Sequence, residues 1–416
     1  MSSTGSTSNV ISASTGQEDR ALHSVDNAIF MPKQWSRMPR HAKDVKEIQP
    51  VNGAAYNTTL VFDIPENAEL LTDLHLEIET GTADASASAT AAAWVNGLGY
   101  EIWESMELVS GNEIMQTLFS EDCKLFDSLH NTIRDDDRDA VLYYQGRSLA
   151  QRQADAPAGI LQNQSLVIRV PFYFTKSLRQ ALFLPHFERN LRVRIKIRPI
   201  ESLVYADAAT ALANVSGFQA QLRADYMHLE QLHRSELLDL FVDNAVPYLI
   251  GDHQRHRQER FTRDAKASQV YQLQLRNLRG PIAALVFGVR ALVDADQSNS
   301  TQLRAPDAYL PFTSYAVQDS NSTIVPTQTF NYDQYVERRR HWEGPVGNNI
   351  AAHTFARLPM REDEATGSAN FRNYFNATLL IDVSNLAAGD YSIDVIAQLR
   401  NWVTHKGGTA VRTFQG

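Results

Sequence analysis

One cysteine, Cys123, stands in 416 residues. No disulfide can form within the chain, which suits a reducing compartment. No apolar run approaches the ~18 residues that a membrane-spanning helix needs. The opening stretch, MSSTGSTSNVISASTGQEDR, lacks a charged segment followed by an apolar core, so it is not expected to act as a signal peptide. Positive charge is not in excess. The 39 Lys and Arg face 48 Asp and Glu, for a net charge of −9. That balance argues against wrapping duplex DNA over the whole surface, and leaves room only for a local basic patch.

Complete catalytic signatures are also missing. There is no Walker A loop and no G-x-S-x-G. The pair Gly97 and Gly99 is half of a nucleotide fingerprint, and it reads as a turn or bulge. Asp252, His253 and His256 lie close together in DHQRHR. Arg255, Arg257 and Arg260 crowd them and oppose a bound cation, so the segment reads as a solvated linker. The acidic run RDDDRD at 134–139 lacks the turn glycine and closing glutamate of a calcium loop. Cys123 has no histidine partner visible in sequence, and reads as a small semi-buried apolar residue. No catalytic, cofactor-binding or metal-ligating residue is assigned.

What the chain does have is β rhythm. Single cores stop growing near ~250–300 residues, so two domains are the default for this length. Apolar residues make up 43% of the chain, enough for globular cores. Leu74, Leu76 and Ile78 alternate with Asp73, His75, Glu77 and Glu79, which marks a half-buried strand. Further strands are expected around a Ser110-Gly111-Asn112 turn, at 165–175, 191–198 and 217–230. Leu191, Val193, Ile195 and Ile197 alternate with Arg192, Arg194, Lys196 and Arg198. That basic row is either a wet sheet face or a face meeting an acidic neighbour, and VERRRHWEG at 336–344 is equally open. The second half repeats the rhythm in QVYQLQLRNL, IAALVFGVRAL, HTFARLP, FNATLLIDV and YSIDVIAQLRNWVTH, with long loops such as 294–308 and 318–327 between strands. Helical patterns are short, at 120–144 and 233–243. Many short strands, long loops and few helices indicate an all-β chain of sandwiches or jelly rolls.

The expected organisation is a disordered N-terminal arm over 1–27, a first β domain over 28–232, a linker over 233–258 and a second β domain over 259–416. The tract 33–46 carries Lys33, Arg37, Arg40, Lys43 and Lys46 around Trp35. It reads as an extended arm docked by Phe30 and Trp35, able to meet an anionic partner.

The order of motifs resembles the double jelly-roll major capsid proteins of nucleocytoplasmic large DNA viruses of the iridovirus, phycodnavirus and mimivirus type, or of a related eukaryotic double-stranded DNA virus. The segments that carry the likeness run from FMPKQWSRMPRHAKD through NTTLVFDIPENAELLTDLHLEIE and WVNGLGYEIWESMELVSGNEI. They continue with the aromatic stretch ending Arg179-Gln180-Ala181-Leu182-Phe183-Leu184-Pro185, then Gly367-Ser368-Ala369-Asn370-Phe371, and finally YSIDVIAQLRNWVTHKGGTAVRTF. Tyr100 stands where the family's pattern has histidine.

The resemblance implies two consecutive eight-stranded jelly rolls with short helices in connecting loops. It implies a non-enzymatic homotrimer, a pseudo-hexagonal capsomer tiling an icosahedral shell, found in the virion and assembled in the host cytoplasm. The implied partners are neighbouring capsomers, minor capsid proteins, and an inner membrane or other anionic partner at the basic arm, with no sequence-specific nucleic acid and no cofactor. The row from Arg192 to Arg198 is then expected to face a neighbouring domain or subunit. The rival readings are a minor or penton capsid protein, which usually has one roll, and a β-sandwich carbohydrate-binding module or enzyme, which needs an aromatic groove or acidic pair.

Overall fold

The computed structural model describes residues 41–412 apart from 89–91, 112, 131–142, 145, 177, 188–190, 207–211, 244–245, 257–258, 265–268, 296–307, 321, 343–348, 360–365 and 407–408. The arm expected over 1–27, the anchors Phe30 and Trp35, and the acidic run 134–139 lie outside the described residues.

The first half is built from β1 (His41–Ile48), β2 (Thr59–Ile64), β3 (Leu70–Glu79), β4 (Trp103–Ser110), β5 (Glu113–Phe119), β6 (Ser165–Arg169), β7 (Leu191–Ile197) and β8 (Gln219–Leu229). One sheet runs β1-β8-β3-β6 and the other β2-β7-β4-β5, all antiparallel. This is the strand order of a jelly roll. The alternation sets the register: Val193 lies between Phe62 and Leu108, and all three are buried. A one-residue slip would turn that row to solvent. Gly111, at φ 62, makes the tight turn from β4 to β5.

The second half repeats the plan with β9 (Val246–Arg255), β10 (Glu259–Arg263), β11 (Val270–Gln274), β12 (Pro281–Ala291), β13 (Ser314–Asp319), β14 (Ser322–Thr329), β15 (Ile350–Thr354), β16 (Thr378–Asp382) and β17 (Gly389–Lys406). β9 and β10 lie end to end along β17, followed across the sheet by β12 and β15. The facing sheet runs β11-β16-β13-β14. The chain is therefore a double jelly roll with an apolar core in each roll. The longest helices among the described residues sit in connections: α1 (Ser120–His130), α2 (Gln231–Asp243) and a helical segment α3 at 330–341 whose middle turn, Asp333–Glu337, is π-helical. No helix among the described residues is long and apolar enough to cross a membrane.

Several local expectations change. Residues 233–258, read as a linker, hold most of α2 and all of β9. β9 joins the second roll because Val246 to Arg255 pair along β17 from His405 to Ile396, burying Leu249 and Ile250. The stretch 318–327, read as a loop, falls within the β13–β14 hairpin. The aromatic strand expected to reach 175 ends at Arg169. Phe172, Tyr173 and Phe174 instead enter a buried 3-10 turn. Residues 41–48, whose first part was read as arm, pair along β8 as an edge strand.

Candidate functional site: the seam between the rolls

Two rolls in one chain act as a unit only if the surface between them is fixed. α1 leaves the first roll after β5 and lays Leu125, Phe126 and Leu129 on the outer face of the second roll's sheet. There they meet Ala284 and Val286 of β12, Ile396 of β17, and Trp342 at the end of α3. The Phe126 ring stacks on His253 at 4.3 Å and 8°, and lies 6.3 Å from Trp342. This explains why β12 is apolar from Pro281 to Val289. Leu285, Phe287 and Val289 fill the second core, while Ala284 and Val286 face α1.

A second contact uses the aromatic bend of the first roll. Tyr173 lies 6.1 Å from Tyr248 of β9, and Gln180 Nε2 donates to the buried Leu249 carbonyl at 2.8 Å. Ile250 and Val403 of the second roll belong to the first roll's core. Fully burying side chains of this size stabilises by about 1.5–3 kcal/mol each.

The seam also buries charge. Glu121 and Asp122 occupy the first turn of α1, where the helix dipole favours anions. Glu121 accepts a charged hydrogen bond from Arg255 of β9 and lies 4.0 Å from Arg290 of β12. Arg290 pairs with Asp394 of β17 at 2.5 Å and sits over the Tyr309 ring at 5.1 Å. Burial by itself would raise the Glu121 carboxyl. The guanidiniums of Arg290, Arg255 and Arg198 outweigh it and hold the group below the usual carboxylate range. Asp122 differs. Neither of its oxygens has a hydrogen-bond partner among the described residues, and burial pushes its carboxyl up to about 7. Beside this cluster, Glu101 binds Arg198 at 2.7 Å and Lys124 at 3.1 Å.

The segments singled out in sequence fall into place unevenly. Asp252, His253 and His256 are on or beside β9, but His253 stacks on Phe126 and His256 meets the Gln274 carbonyl. Among the described residues no group of three His, Cys, Asp or Glu could hold a metal ion. Gly97 caps a one-turn helix at φ 69, and a Cβ on Gly99 would lie 2.9 Å from Tyr143. Cys123 is buried in α1. The basic row on β7 is partly exposed but ion-paired along its own sheet. Arg192 pairs with Asp63 at 2.7 Å, Lys196 with Glu104 at 2.7 Å, and Arg194 lies across from Glu107. Only Arg198 turns inward, to Glu101. Within the chain, the acidic neighbours of this row are its own flanking strands.

Residues 30–230 match the family model described as major capsid protein N-terminus. Among solved structures, PBCV-1 VP54, fitted into a cryo-EM reconstruction of the virophage Sputnik, is similar with a TM-score of 0.76 and 13% identity, covering 94% of this chain and 100% of that one. The Faustovirus major capsid protein gives 0.71 at 8% identity, over 94% and 96%. The cryo-EM structure of the Sputnik virophage gives 0.62 at 11%, over 94% and 92%. At such identities the structural likeness establishes the fold. No curated protein matches the chain by sequence.

Proposed function

We propose that the chain is a double jelly-roll major capsid protein, a reading supported by the family match over residues 30–230 and by the fold, and that three copies close into a pseudo-hexagonal capsomer. Each copy supplies two wedges of like topology, so a threefold ring presents six and fills a sixfold lattice position. The observation that carries this reading is the seam. Apolar packing and buried ion pairs hold two rolls of the same strand order as one body, as a shell tile requires. Two complete rolls in one chain also weigh against a single-roll minor or penton protein.

The proposed role is structural and non-enzymatic, within a virion assembled in the host cytoplasm. The basic tract 33–46 is proposed to reach minor capsid proteins, neighbouring capsomers or an inner membrane. Light scattering on the purified chain should give about 140 kDa, three times 46.7 kDa. A stable monomer at micromolar concentration with saturable sugar binding would overturn the reading. Deletion of 1–40 tests the arm without removing β1. Trimers should form while shells assemble defectively, and normal shells would remove the arm from assembly.

A further inference from the structure

Each roll carries a helix between its fifth and sixth strands in jelly-roll order: α1 between β5 and β6, and α3 between β14 and β15. α1 is spent inside the chain, on the outer sheet face of the second roll. α3 has a covered side, with Asp333, Gln334, Glu337 and Arg338 buried, and an open side. On the open side Tyr332 is 39% exposed and Tyr335 57% exposed, with Arg339 and Arg340 beyond them. Neither Arg339 nor Arg340 has an ion-pair partner among the described residues. Tyrosine and arginine are the residue types enriched where proteins meet.

The matching sheet faces differ in the same sense. In the second roll the outer positions Ala284, Val286, Gly288 and Arg290 of β12 are all buried. In the first roll the equivalent positions of β3, Asp73, His75, Glu77 and Glu79, are only half-buried. That face is acid-rich. Glu47 of β1, Asp225 of β8 and Asp73, Glu77 and Glu79 of β3 outnumber Lys43, Arg223 and Arg169; Arg169 pairs with Asp73 at 3.2 Å and Arg223 with Glu77 at 3.6 Å, and the carboxylates still exceed the cations. The charges are reversed relative to the internal seam. There an acidic helix end, Glu121 and Asp122, meets Arg255 and Arg290. Here a basic helix end would meet carboxylates.

We propose that α3 of one copy docks on the β1-β8-β3-β6 face of the first roll of a second copy, with Arg339 and Arg340 against Glu77 and Glu79 and with Tyr332 and Tyr335 covering the sheet. The inference rests on the trimeric reading and deepens it: seams within chains alternate with seams between chains around the ring. Charge reversal fixes the order. α3 meets like charge at the Arg255–Arg290 face, which disfavours docking there.

The test is sedimentation of the full chain over a concentration series, with thermal unfolding as a fold control. Arg339→Glu combined with Arg340→Glu should raise the trimer dissociation midpoint by at least ~100-fold, as loss and reversal of close interfacial charge pairs does. Adding Glu77→Lys and Glu79→Lys should restore trimers. Wild-type trimers with an unmoved midpoint in the arginine variant, or no recovery in the charge-swapped chain, would overturn this docking and leave the trimer reading standing. A monomeric wild type would overturn both.

Discussion

Arg290 is the cation on which the buried charges of the seam converge. It is 2% exposed, pairs with Asp394 at 2.5 Å and lies 4.0 Å from Glu121. Replacing it with alanine leaves Asp394 with Arg255 alone, at 3.9 Å. Two unit charges about 4 Å apart at an effective dielectric near 20 interact by about 4 kcal/mol, and breaking buried pairs costs about 3–5 kcal/mol. Arg290→Ala should therefore lower stability by about that amount, since it also strands a carboxylate away from water. The Tyr309 ring loses its cation as well, which adds about 1 kcal/mol. The control is a cycle with Arg290→Met, Asp394→Leu and the double variant, read by urea unfolding at one protein concentration. Each single change should be costly. The double change removes both charges from the apolar seam and should cost less than about 1 kcal/mol or stabilise the chain. Single changes each worth under about 1 kcal/mol, or a double variant equal to their sum, would refute the claim that these charges are coupled across the seam.

Three further outcomes follow from the same surface. Phe126→Ala removes the ring between His253 and Trp342; calorimetry should show a loss of about 3–5 kcal/mol. Gly288→Ala places a Cβ 2.5 Å from the Tyr309 ring; the loss should be about 1–3 kcal/mol, and an unchanged melting temperature would contradict the close approach. Asp122 sets a pH dependence. Its folded-state value, about 7, lies above 3.8, so the folded chain holds the extra proton and stability falls as pH rises between them. The groups around it are Arg255, Glu121, Asp394 and Asp252. Asp122→Asn should match the wild type near pH 4 and exceed it by up to roughly 4 kcal/mol at pH 8, checked by melting temperature against pH.

Much of the fold is legible in sequence because half-buried strands print their period. β3 and β7 alternate cleanly, and both form where the alternation places them. β9 and β14 are not legible for a shared reason. Each carries a proline, Pro247 and Pro326, which edge strands tolerate but which reads as a break. The seam is legible only in part. The unbroken apolar run of β12 signals a strand covered on both faces, and that signal points to a partner over Ala284 and Val286. The charge cluster gives no such sign. Glu121, Arg255, Arg290 and Asp394 are far apart in the chain, and only the pairing of β9, β12 and β17 brings them together. The pairing of the basic row on β7 is equally hidden in sequence. Its carboxylate partners Asp63 and Glu104 lie on strands whose neighbourhood the sequence does not reveal.

The most direct test of the central claim is cryo-EM of the purified full-length chain. Class averages should show threefold particles with six lobes, two from each copy. Isolated two-lobed particles at every concentration, with no threefold class, would contradict the assignment of this chain as a capsomer-forming shell subunit.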